Sequence, residues 1–172
     1  FAHTFPSLHA YLKPHEDALR KRQDQGRFWW ELRSCDYYSA FEHSKIIHTD
    51  LAWRAQFAYS DTPVYLVNTA YVWPASDLYL LAVVNSPLMW AYMWRNAIHG
   101  KDEVLRLIYS FTESLPIAQP TQALRAEIEP MVERLIALTK QGQSTTHELL
   151  AWLAAEFGVT TPGQALEAFA DL

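Results

Sequence analysis

The 172-residue chain is poor in two residue types on which many catalytic sites depend, with one cysteine, Cys35, and five glycines. One thiol can form neither an internal disulfide nor a cysteine-rich zinc cluster. The glycines form neither the G-x-G-x-x-G pattern nor a P-loop, and no H-E-x-x-H or G-x-S-x-G motif is present. The sequence therefore indicates a domain without catalytic machinery, and we expect neither a metal nor a cofactor to bind to it.

Long hydrophobic runs are also missing. The most apolar stretch, residues 78–93, is interrupted by Asn85, Ser86 and Pro87, and is too short for a membrane span. The first twenty residues do not resemble a signal peptide. We therefore expect a cytoplasmic protein without membrane contact. The chain begins with Phe1 rather than methionine, so we expect it to be a piece of a longer protein.

Charge is unevenly distributed along the chain, whose formal net charge is −5. Residues 121–172 hold 3 Lys and Arg against 7 Asp and Glu, whereas residues 1–33 hold 6 against 4. The basic side chains near the start are Arg20, Lys21, Arg22, Arg27 and Arg33. Such a cluster is compatible with phosphate contact, although a solvated helix end and arginines stacked on aromatic rings are equally ordinary explanations.

Residue patterns predict an α/β (α+β) fold, with a mixed sheet flanked by helices and followed by a helical appendage. We expect a first helix that Pro14 kinks, an aromatic strand over 27–33, strands over 45–48, 56–59, 64–73 and 105–111, and a turn at Asn68-Thr69. Asp77 and Pro87 are typical of helix starts. We place the domain boundary near Gln119, which gives a domain over 1–118 and a helical segment over 119–172.

The C-terminal segment carries apolar residues at alternating spacings of four and three, which are typical of a helix that packs on a partner: Leu124, Ile128, Met131, Leu135 and Leu138. Gly142 is a plausible end for this helix, and Thr145-x-x-Glu148 predicts the start of another that ends at Gly158. Thr161-Pro162 predicts a last short helix.

An ordered series of short motifs resembles the TaqI-like C-terminal specificity domain of restriction–modification enzymes. The series comprises Gly26-Arg27-Phe28-Trp29-Trp30-Glu31-Leu32-Arg33, Lys45-Ile46-Ile47, Phe57-Ala58-Tyr59, Val67-Asn68-Thr69-Ala70-Tyr71, Asp77-Leu78-Tyr79-Leu80-Leu81, Val84-Asn85-Ser86-Pro87-Leu88 and Leu115-Pro116-Ile117. The resemblance covers residues 5–118. It departs from the family at Val84, where leucine is usual, and in a shortened turn over 58–63.

The resemblance implies a domain that reads double-stranded DNA for a methyltransferase domain of the same chain, and that directs methylation or cleavage to a specific site. The parent would be an S-adenosylmethionine-dependent, adenine-specific DNA methyltransferase with or without endonuclease activity, and Mg²⁺ would serve cleavage. Its Asn-Pro-Pro-Tyr motif is absent from these residues. We expect the DNA-binding residues to be Arg20, Lys21, Arg22, Arg27, Trp30, Arg33, Lys45, Asn68 and Thr69.

One alternative stays open at this point. The 7 Trp, 9 Tyr and 8 Phe residues, the acidic tail and the heptad-like spacing also suit a protein–protein interaction module. Such a module would dock a nuclease or translocase subunit of a phage-defence system. DNA binding weakens steeply with salt whereas apolar docking does not, so salt dependence separates the two hypotheses.

Overall fold

The computed structural model describes residues 1–34 and 37–158. The chain divides into two compact units, residues 1–39 and the residues from 40 onward. The helices are α1 (Pro6–Leu12), α2 (Glu16–Leu19), α3 (Leu78–Val84), α4 (Pro87–Asn96), α5 (Tyr109–Thr112) and α6 (Gln122–Phe157), with 3₁₀ turns at Lys13–His15, Tyr38–Phe41 and Lys101–Glu103. The strands are β1 (Lys45–Thr49), β2 (Leu51–Ala52), β3 (Ala58–Ser60), β4 (Ala70–Trp73), β5 (Ile98–His99) and β6 (Leu105–Arg106).

The first unit consists of an interrupted helix and a tight loop. Pro14 lies in the 3₁₀ turn between α1 and α2, as its missing N–H predicts. The expected aromatic strand over 27–33 is wrong, because these residues form a loop with a single antiparallel bridge between Gln25 and Leu32. Tryptophan has a high β propensity, which favoured a strand here. The rings of Trp29 and Trp30 instead pack on neighbouring aromatic rings within the unit.

The second unit is built on two small antiparallel sheets, with strand orders β3-β1-β4 and β2-β6-β5. The fold is therefore α+β, in agreement with the expected class. The expected single mixed sheet is wrong, because the described residues form two small sheets whose strand pairs are all antiparallel. Strand β1 lies where the sequence predicts it, and the turn at Asn68-Thr69 is present. Two expected strands are shorter than predicted: residues 64–69 precede β4 without strand pairing, and β6 covers two residues before α5 begins.

Polar caps set the helix boundaries that surround the core. The Asp77 carboxylate accepts a hydrogen bond from the Leu80 N–H at 3.0 Å, and the Ser86 hydroxyl accepts one from the Met89 N–H at 3.1 Å. Asn85 ties the end of α3 to the preceding loop, since it both accepts from and donates to the backbone of Phe57. The Asn-Ser motif thus has a structural role.

The core of the second unit lies between β1, the α3–α4 pair and the first half of α6. Its most deeply buried apolar residues are Ile46, Val84, Met93, Leu105 and Leu107. Helix α6 continues without a break through Gly142 and Thr145, so the predicted helix end and second start are wrong. Gly158 closes the helix in a left-handed conformation, as predicted, and the expected helix at Thr161-Pro162 lies outside the described residues.

One buried histidine makes the stability of this core pH-dependent. His48 is 2% exposed and its ring lies among those of Phe57, Tyr71 and Trp73, with centroids 4.9 to 5.3 Å away. Burial lowers the pKa of His48, because the apolar surroundings disfavour the charged imidazole. The Thr49 carbonyl and Asp50 oppose this shift only partly.

We expect the free energy of unfolding to fall as the pH drops below about 6.5, where the unfolded histidine takes up a proton that the folded one resists. The loss has an upper limit of about 1.4 kcal/mol per pH unit for one proton. Urea denaturation between pH 5 and 8 measures it, and His48→Gln should flatten the slope. Equal slopes for the unaltered chain and His48→Gln would contradict this assignment.

Asp77 connects two elements, so its loss has a predictable cost. It caps α3 and forms a two-pronged ion pair with Arg125 of α6, with both N–O distances at 2.9 Å. Both side chains are about one-third exposed, which limits the contribution of the pair. We expect Asp77→Ala to lower the free energy of unfolding by about 1–2 kcal/mol, most of it from the cap. Asp77→Asn should cost less, because it still caps, and Asp17→Ala in α2 is the exposed control. Urea midpoints that do not distinguish Asp77→Ala from Asp17→Ala would contradict this role.

Candidate nucleic-acid interface

The loop over residues 24–33, here called the basic loop, carries three of the predicted DNA-binding residues, Arg27, Trp30 and Arg33. Its backbone is closed by hydrogen bonds from the Gly26 N–H to the Glu31 carbonyl at 2.9 Å and from the Arg33 N–H to the Asp24 carbonyl at 2.7 Å. A Cβ atom on Gly26 would lie 2.4 Å from the Leu32 carbonyl oxygen. Only glycine therefore permits this closure.

An aromatic stack supports the basic loop from one side. Trp30 lies between Phe1 and Phe28, with both ring centroids at 4.7 Å and the rings nearly parallel. Trp29 meets Trp30 edge-on at 5.5 Å and packs beside His9 of α1. Trp29 is buried, whereas Trp30 is half-buried. The stack fixes the loop on α1.

Arg22 belongs to the scaffold of the loop. Its guanidinium donates to the carbonyl of Glu31, and its Nη2 lies 3.5 Å from the carbonyl of Trp29. Its side chain is 21% exposed. Arg22 therefore ties the residues that follow α2 to the second half of the loop, and this role competes with the DNA contact predicted from the sequence.

Three predicted cations point away from this scaffold. Lys21, Arg27 and Arg33 are exposed, and none of them has an acidic partner among the residues that the structure describes. Arg27 lies over the ring of Phe28 at 5.5 Å. Arg20 is exposed too, but its guanidinium is paired with Glu16 at 2.6 Å. The free positive charge of the first unit is thus concentrated on Lys21, Arg27 and Arg33.

Arg27 and Arg33 line a cleft of about 640 Å³ within the first unit. The cleft is also lined by Gln25, Gly26, Glu31, Leu32, Ser34 and Tyr38. Guanidinium groups can donate two parallel hydrogen bonds to a phosphate or to the edge of guanine. The sequence reveals the two arginines, but not the cleft, because the loop closure depends on the Arg22 and Gly26 contacts.

Asn68 and Thr69 form an exposed turn before β4. The carbonyl of Thr69 accepts a hydrogen bond from the Asp50 N–H at 2.9 Å. The side chains of Asn68 and Thr69 lie at the surface. They belong to the second unit, as Lys45 does.

Lys45 lies elsewhere than the sequence indicates. It was expected to face outward, but its side chain is fully buried and its ammonium donates to the carbonyls of His43 and Thr62, each at 2.8 Å. Burial of a charge requires such partners, because an unpaired ammonium is strongly penalised away from water. Lys45 therefore holds the start of β1 against the turn that precedes residue 63, and its expected exposure is corrected.

A comparison with known protein families identifies the family of this chain. The family model described as the TaqI-like C-terminal specificity domain matches residues 9–117, more than half of the chain. The chain belongs to this family. Specificity domains of this kind are not catalytic in themselves, and the family supports a DNA-recognition role in restriction–modification enzymes. Its boundaries include the whole basic loop and both sheets.

The C-terminal residues match a second family. Residues 121–172, which include α6, match a domain of unknown function (DUF8810). No curated protein matches the chain. Within residues 1–34 and 37–158, no group of three or more His, Cys, Asp or Glu side chains could hold a metal ion, and no helix is long and apolar enough to cross a membrane.

The different roles of neighbouring Lys21 and Arg22 are testable. We expect Arg22→Met to loosen the basic loop, because two backbone carbonyls lose their donor, and to weaken the near-ultraviolet circular dichroism of the Trp29–Trp30 stack. Lys21→Met should leave that signal unchanged, since its side chain is exposed and forms no hydrogen bond or ion pair with the described residues. An unchanged spectrum for Arg22→Met would show that the guanidinium does not hold the loop.

Proposed function

We propose that this chain reads a specific DNA sequence for a larger restriction–modification protein and directs methylation or cleavage to that site. The observation that carries the proposal is the specificity-domain match over residues 9–117, within which Lys21 and the basic loop expose three cations that have no acidic partner in the part of the chain that the structure describes. Phosphate contacts position a protein on a duplex, and contacts to base edges select the sequence.

The exposed cations differ in the kind of DNA contact for which they are suited. Lys21 follows α2 and carries an exposed point charge that suits a phosphate. Arg27 and Arg33 line the cleft, and their planar guanidinium groups suit the N7 and O6 atoms of guanine. Asn68 and Thr69 are further candidates for base contacts, whereas buried Lys45 is not part of the proposed surface.

Catalysis would belong to a methyltransferase domain of the same protein, adenine-specific and dependent on S-adenosylmethionine, which flips the target base out of the duplex. That domain would form the opposite wall of the DNA-binding cleft. Mg²⁺ would be needed if the parent also cleaves DNA as an endonuclease. The proposed setting is phage defence in the cytoplasm.

Selection from a pool of randomised DNA duplexes tests this proposal. We expect the chain, immobilised at low salt, to enrich a short motif, and its affinity to fall by about 0.9 log units per log unit of salt for each neutralised phosphate. Lys21→Gln should weaken binding to all sequences equally and make the salt slope shallower. Arg27→Gln or Arg33→Gln should relax the motif at one position, at a cost of about 1–3 kcal/mol for the preferred base.

Two controls make the outcome unambiguous. Arg20→Gln removes a cation that is already paired with Glu16, so it should have a smaller effect than Lys21→Gln. Arg95→Gln removes an exposed cation at the end of α4 and should have none. A pool without enrichment, or a salt-independent association with all variants alike, would reject DNA reading in favour of protein docking.

A further inference from the structure

Helix α6 has one face in the core and another face that is uncovered. On the core side, Val132 is 7% exposed, and Ile128 and Ile136 pack against the hydrophobic core. On the other side, four apolar residues are between 39% and 62% exposed: Leu124, Met131, Leu135 and Leu138. A stripe of this size is unusual on a solvated helix and is typical of an interface.

The uncovered face continues into a groove beside α4. The groove measures about 720 Å³, and its walls are apolar residues of α6 together with Leu88, Met89 and Tyr92. Leu88 is 82% exposed although it lies near the start of α4. An apolar groove beside a helix is a surface on which the apolar face of another helix can dock.

The heptad pattern extends over the whole length of α6, because the helix is continuous through Gly142. The spacings of four and three that connect the first five positions continue to Gly142, Thr145, Leu149, Trp152 and Glu156. Trp152 is 53% exposed. The 36-residue helix is about 54 Å long, and seven of the ten seam positions carry apolar side chains.

We propose that this seam pairs with the α6 helix of a second copy of the chain in an antiparallel coiled coil. In such a pair, each seam residue lies opposite the partner's seam residue that is equally far from residue 140 in the other direction along the chain. That residue lies at the middle of Gln122–Phe157, so the two helices overlap over their full length. The pairing therefore leaves no part of the seam uncovered.

Charge complementarity selects the antiparallel orientation. The positions that flank the seam on its exposed side are Glu127, Arg134, Gln141 and Glu148. On this flank the pairing is offset by one residue from that of the seam and follows reflection about residue 141, which places Arg134 beside Glu148 of the partner subunit, and the symmetry repeats this pair. In a parallel pair, Arg134 would meet the partner's Thr139 and would have no opposite charge.

Side-chain sizes agree with the same register. Trp152 faces the partner's Ile128, which lines the groove beside α4, so the exposed indole enters an apolar recess. Gly142 lies opposite the partner's Leu138, and a Cβ atom on this glycine would meet nothing within 4 Å in one chain. Glu156 faces the partner's Leu124 at the two ends, where water reaches the carboxylate.

Charge exchange tests the pairing without disturbing the fold. We expect the chain to dimerise in sedimentation equilibrium, and Arg134→Glu or Glu148→Arg to weaken the dimer roughly tenfold by replacing two attractions with two repulsions. The double variant should recover the original dissociation constant, because the pairs re-form with opposite sign. Glu133→Arg, on the outer side of the helix, should have no effect.

A cross-link reports the orientation. Only antiparallel pairing brings residue 141 next to its counterpart in the partner, so Gln141→Cys in a Cys35→Ser background should form a covalent dimer on mild oxidation. Far-ultraviolet circular dichroism checks that each variant keeps its helix. A chain that stays monomeric at high micromolar concentration, a dimer indifferent to Arg134→Glu, or charge reversals that the double variant fails to rescue would each overturn the proposal. Since no DNA is present, the result is independent of the proposed DNA reading.

Discussion

One extended segment, residues 45–52, holds the second unit together. Its first part, β1, pairs with β3 on one side and β4 on the other, and its last part, β2, pairs with β6 of the second sheet. Asp50 joins the two parts: its N–H and carbonyl bond to Thr69 and Leu107, and its carboxylate accepts from Arg106. Loss of this segment would separate both sheets, so the positions of the Asn68-Thr69 turn and of the α3–α4 pair depend on it.

The same constraint explains why a lysine belongs in the core. Lys45 is the first residue of β1, the central strand of its sheet, and its ammonium donates to the carbonyl of His43 just before β1 and to that of Thr62 just after β3. A charged group in that place costs desolvation, but its two hydrogen bonds fix the register of β1 against β3. We therefore assign Lys45 a structural role rather than a role in DNA recognition.

The sequence predicts correctly the helix boundaries that short-range interactions determine. Asp77, Ser86 and Pro87 mark helix starts because capping is a short-range effect, and Gly158 ends α6 for the same reason. The aromatic run at 27–33 failed as a strand because its rings found partners in Phe1 and α1, which no local propensity records. Gly142 failed as a helix end, since the core contacts of Val132 and Ile136 stabilise the helix across it. The basic side chains were visible in the sequence, whereas the burial of Lys45 and the structural use of Arg22 depend on long-range packing.

The closure of the basic loop separates the residues that hold it from those that project from it. Gly26 and Arg22 fix the backbone from behind, while the side chains of Arg27 and Arg33 lie on the open side and contribute no hydrogen bond to the closure. Mutations at the projecting positions thus leave the folding of the loop nearly unaffected. A loop of this design can diverge quickly in its outward chemistry during evolution, and its frame changes slowly because it tolerates few replacements.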